Sequence, residues 1–139
     1  MDKHEIQRRI YRIVAVILMV SILSLIAVIP GILQASSTAT PLNAVIGALV
    51  GIGIHLLMVM IFLRGARANR PERRIVRGVH FFWALGMIFL GFIMLDGAFA
   101  FLDDVLYVSI CMIVCSVCDF AAALVFIAAL FLLKPEKKK

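Results

Sequence analysis

Four long apolar runs, separated by short polar breaks, organise this chain. They are Ile13–Leu33, Leu42–Leu63, Val79–Leu95 with an extension to Leu102, and Val105–Leu133. A helix of about 17–25 mostly apolar residues crosses a bilayer. Open strands cannot, because their edge N–H and C=O groups find no partner in lipid. The pattern predicts an all-α fold: an integral membrane four-helix bundle, up-down-up-down, forming one domain over 1–139 with helices at about 12–34, 41–64, 77–100 and 104–134. Pro41 stands where a helix tolerates proline, at its first turn. Pro71 breaks the second polar interval and Pro135 ends the fourth run. The Pro30-Gly31 pair predicts a kink or an end in the first helix. The first run is read as a span and not a signal peptide, being longer than a signal core and followed by no small-x-small cleavage site with a soluble domain.

Within the second and fourth runs, side-chain size divides with helical period. In the fourth, Ile113, Val117, Phe120, Leu124, Ile127 and Phe131 share a large-residue face suited to lipid. Cys111, Cys115, Cys118, Ala122 and Ala129 make a small-residue stripe, and Asp119, Ser116 and Ala123 lie beside it. In the second, Leu42, Val45, Leu49, Ile52, Leu56, Val59 and Leu63 oppose Asn43, Ala44, Gly47, Ala48, Gly51 and His55. Small residues let helices approach closely in lipid. The small faces, with Gly47-x-x-x-Gly51, are therefore expected to point inward. In the third, Gly86 is expected to leave room between Phe82 and Phe89 for a neighbouring helix.

Composition sharpens this picture. The chain is 64% hydrophobic with a mean hydropathy of +1.11, too little polar surface to coat a water-soluble core. Its 14 Lys and Arg against 8 Asp and Glu give a net charge of +6. The basic residues gather in three places: Lys3 to Arg12, Arg64 to Arg77, and Lys134 to Lys139. The stretches "QASSTATP" and "DGAFAFLDD" contain none. The positive-inside rule then places both termini and the 64–77 loop in the cytoplasm. The basic segments are expected to meet anionic lipid headgroups, with no nucleic-acid partner.

Asp119 is the charged residue inside an apolar run, and an intramembrane carboxylate is a candidate proton or cation site, or an interhelical hydrogen-bond partner. Its expected contacts are His55 or Asn43 on the second helix. His55 lies nine residues before Arg64 and Asp119 fifteen before Lys134, so counting from the basic boundary separates them by about 9 Å of depth. That count does not favour a direct pair.

The cysteines read as reduced packing residues. Cys115-x-x-Cys118 resembles, in spacing alone, the redox pair of membrane disulfide enzymes of the vitamin K epoxide reductase type. Those relay electrons through loop cysteines, and here both outer loops lack them. A haem between His55 and His80 would need both rings at one depth, whereas His80 lies three residues past Arg77. A copper or zinc site from the cysteines with His55 suits their softness but matches no known spacing. No phosphate loop, nucleophile elbow or paired carboxylates occur. No cofactor, metal or enzymatic activity is expected.

Four spans with cytoplasmic ends resemble, in topology alone, the tetraspan membrane-organising modules of the MARVEL type, as well as small accessory subunits. The expected role is a non-enzymatic scaffold or accessory subunit, in homo- or hetero-oligomers with other membrane helices. The alternatives are an oligomeric transporter or channel with Asp119 and His55 in a polar path, and a thiol oxidoreductase using Cys115 and Cys118.

Overall fold

The computed structural model describes residues 2–34, 41–67 and 77–133. They form α1 (Lys3–Gln34), α2 (Pro41–Arg67), α3 (Arg77–Ala100) and α4 (Leu106–Leu132). All four are long and apolar enough to cross a membrane. The lysines at 134–139, Pro71, Pro135 and the loop residues 35–40 and 68–76, on which part of the charge argument rests, lie outside the described residues.

α1 begins at Lys3, well before the apolar run does. Local polar contacts accompany its first turns. The Asp2 carbonyl accepts the N–H groups of Glu5 and Ile6, and Arg9 pairs with Glu5 one turn away at 2.8 Å. Ile10 is buried, so this charged segment still has an apolar stripe to dock. Hydropathy marks where lipid begins, not where a helix begins. α1 also runs through Pro30 to Gln34, so that proline does not end it.

α1 packs against both α2 and α4, and α4 packs against α3. The start of α1 meets the end of α2, where Tyr11 lies 5.6 Å from Phe62 between ring centroids. α4 meets α3 in the same opposed sense. Ser109 and Ser116, seven residues apart, donate at 2.7 Å to the carbonyls of Ala98 and Gly91, also seven apart. α2 and α3 stand further from each other: among the described residues no Cα of one comes within 8 Å of the other. Long side chains span that gap. Phe62 and Trp83 meet edge to face at 5.0 Å, and Met94 reaches toward Gly51.

The interior is layered. Near the start of α1, Tyr11, Phe62, His80, Trp83 and Phe126 form an aromatic layer drawn from all four helices. Toward the other end, Val28, Ile32, Ala48, Phe101 and Val108 make an aliphatic cluster around one phenyl ring. Between them lies a polar centre. The outside is almost wholly apolar, with Leu42, Phe82, Phe89 and Leu124 exposed by about two thirds. Such a surface is unsuited to water and suited to lipid.

Candidate functional site: a buried polar centre

Asp119 sits on α4 one turn beyond Cys115 and one turn before Ala122 and Ala123. These small neighbours let α1 approach closely enough for a short side chain to reach the carboxylate. Ser21 does so, its hydroxyl donating to Asp119 Oδ1 at 3.3 Å. His55 arrives from α2, its Nε2 2.9 Å from the same oxygen. Its other ring nitrogen, Nδ1, lies 2.7 Å from the Gly51 carbonyl. The Cys115 thiol lies 4.0 Å from Asp119 Oδ2, at the limit of a sulfur hydrogen bond. Ser21, His55, Cys115 and Asp119 are all fully buried.

The hydrogen-bond pattern fixes where protons sit. A backbone carbonyl only accepts, so Nδ1 of His55 carries a hydrogen. Nε2 and Oδ1 then face each other at 2.9 Å, and two lone pairs at that distance require a proton between them. Whether this is drawn as imidazolium with carboxylate or imidazole with carboxylic acid, the pair is neutral as a whole. That neutrality makes it tolerable among apolar side chains.

The close His55–Asp119 contact departs from the depth count, and the aromatic layer explains why. Phe62 is seven residues after His55 and Phe126 seven after Asp119, and these rings are in contact at 5.3 Å. The two polar residues are therefore level. Lys134 follows Phe126 by eight residues, whereas Arg64 follows Phe62 by two, and the six-residue difference is the apparent ~9 Å offset. α4 continues past the aromatic layer because Ala129 and Leu133 still pack in the cluster that includes Ile10 of α1.

The other sequence candidates separate. Asn43 is exposed and twelve residues before His55, about 18 Å along α2, so Asp119 takes Ser21 in its place. Ser116 is buried but serves the α3 backbone through Gly91, outside the Asp119 cluster. Gly51 lies at a seam, with Leu25 and Met94 both 3.4 Å from where a Cβ would stand. Among the described residues Gly47 and Gly86 have nothing within 4 Å of that position, so neither makes a close seam there. The closely approached glycines are Gly31, under Tyr107 and Val108, Gly65, under Tyr11, Gly91, under Phe120, and Gly97, under Met112. Cys111, Cys115 and Cys118 are free thiols, Cys115 buried and the others half-buried. His80 is buried in the aromatic layer, stacked on Tyr11 at 5.9 Å, while His55 is held in the polar layer.

Ser21 is not among the residues that the apolar pattern singles out. It had a signal: it stands nine residues after Arg12, matching the nine from His55 to Arg64, which sets both at one depth. No family model, no curated protein and no solved structure matches the chain.

Proposed function

We propose that this chain is a non-enzymatic, multi-pass membrane protein that acts as a scaffold or accessory subunit through helix packing. Its spans cross up-down-up-down, with both termini and the 64–77 segment on the cytoplasmic side. The observation that carries this reading is the closure of the polar centre. Phe62, His80 and Phe126 cover it on one side and Leu25, Val28 and Val108 on the other, each 1% exposed or less. A conduit needs polar access from both faces, and here the polar groups instead tie α1, α2 and α4 together. The outward Gly47 and Gly86 leave shallow apolar surface where a further helix could lie closely.

The test is the mass of the purified protein in native-like lipid, with whatever co-purifies. A stable complex is expected, lost in Gly47→Leu or Gly86→Leu while the four-helix fold persists, since a Cβ at either position meets no neighbour within 4 Å among the described residues. A solitary chain in lipid would sink this reading. An intact assembly that loses its cellular function on Asp119→Asn would replace it with ion or proton transfer.

Orientation is tested separately. A cysteine introduced at Ser37 should label with an impermeant maleimide from outside the cell, and one at Asn69 should not, relative to the parent chain. The reverse pattern would invert the positive-inside assignment.

A further inference from the structure

The geometry points to a second use of the polar centre: His55, Cys115 and Asp119 form a binding site for one divalent transition cation of the zinc class. Their ligand atoms, an imidazole nitrogen, a thiol sulfur and a carboxylate oxygen, all lie within 4.8 Å of one another. A tetrahedral shell with bonds of about 2.0–2.3 Å places ligand atoms roughly 3.3–3.8 Å apart, which small side-chain rotations would reach from here. The Ser21 hydroxyl, beside Asp119 Oδ1, stands as a neutral fourth donor.

An independent feature supports the same conclusion. Metal-binding histidines almost always donate their second ring N–H to a carbonyl or carboxylate, which fixes the tautomer and aims the free lone pair. His55 has this arrangement, with Nδ1 on the Gly51 carbonyl and Nε2 aimed into the cluster. Donor chemistry selects the ion. Thiolate with imidazole disfavours magnesium and calcium, which prefer oxygen alone.

Charge balance favours a dication in this apolar setting. The cluster without metal holds one proton between His55 and Asp119 and one on the Cys115 thiol. Entry of a dication releases both. The product, a dication with one carboxylate, one thiolate and a neutral imidazole, has no net charge, as the cluster had before. The exchange therefore adds no uncompensated charge to the bundle interior. Sequence spacing could not disclose this site, because its ligands come from α2 and α4 and only Cys115 and Asp119 share a helix.

The test uses the full chain, purified without chelator and held in lipid nanodiscs. Elemental analysis should find about one zinc per chain. After removal of zinc, Co²⁺ alone should give tetrahedral absorption with a thiolate charge-transfer band. Cys115→Ser should abolish that band and weaken Zn²⁺ binding about tenfold or more, whereas Cys111→Ser, one turn further from the cluster, should leave both unchanged. Should Cys115→Ser fail to fold, X-ray absorption of the zinc-loaded parent chain decides the matter: one sulfur at about 2.3 Å with nitrogen and oxygen near 2.0–2.2 Å is expected. A chain that takes up neither Zn²⁺ nor Co²⁺, or metal ligated by oxygen alone, would overturn the proposal.

Discussion

Replacing Asp119 with leucine should destabilise the bundle by about 2–4 kcal/mol, while Asp119→Asn should cost less than about 1 kcal/mol. The difference follows from the atoms left behind. Leucine offers His55 Nε2 and the Ser21 hydroxyl nothing, and both are fully buried. Individual hydrogen bonds between membrane helices are worth about 0.6–2 kcal/mol, because the separated helices also find partners. Two lost together, with a ring nitrogen stranded, place the total above that of a single bond. Asparagine keeps the pattern. Its carbonyl accepts from Ser21, and its amide donates to Nε2 while Nδ1 remains on the Gly51 carbonyl. Reversible unfolding in mixed micelles would measure both variants. Equal losses for Asn and Leu would show that an amide does not replace the carboxyl group in these bonds.

The second large effect is expected at Gly31. A Cβ there would stand 2.5 Å from the Tyr107 hydroxyl oxygen and 2.6 Å from the adjoining ring carbon, and closer still to a Val108 methyl. Tyr107 is exposed and its ring can swing outward. Val108 is fully buried and has no free direction. Gly31→Leu should therefore force α1 and α4 apart at this end, for about 1–3 kcal/mol, the usual range for overpacking. Gly91→Ala is a milder case, because the neighbour there is the half-buried Phe120 ring. Gly47→Leu, with open space around it, should leave monomer stability within about 0.5 kcal/mol of the parent. Unfolding of the three variants side by side is the measurement. A Gly31→Leu chain as stable as Gly47→Leu would mean that the seam is looser than its contacts indicate.

The four helices were legible because a bilayer imposes one requirement, an apolar segment of sufficient length, and nothing else in the chain imitates it. The inward half of α4 was legible too, since Asp119, Ser116, Ala122 and Ala129 are all buried and Val117, Leu124 and Phe131 exposed. The faces of α2 and α3 were harder to read. Lipid is as apolar as a neighbouring helix, so a small residue carries no label for inside or outside, and Gly47 and Gly86 face out. The His55–Asp119 contact was hidden by measuring depth from Lys134, because the fourth run stays apolar for longer past the aromatic layer than the second does. Residues of the aromatic layer give the better ruler, but knowing that Phe62 and Phe126 share a level requires the packing.

The unequal seams also have a consequence for assembly in time. α1 and α2 are consecutive and pack directly, so a hairpin can form as soon as both have left the ribosome. α3 comes next in the chain, yet its close backbone partner is α4, which is made after it. If the spans enter the membrane in chain order, α3 waits beside the hairpin, touching it through rings such as Trp83 and Phe62, until Ser109 and Ser116 arrive to bind its carbonyls. α4 is the keystone of the three helices before it: it brings the partner that α3 lacks and the carboxylate that His55 and Ser21 await.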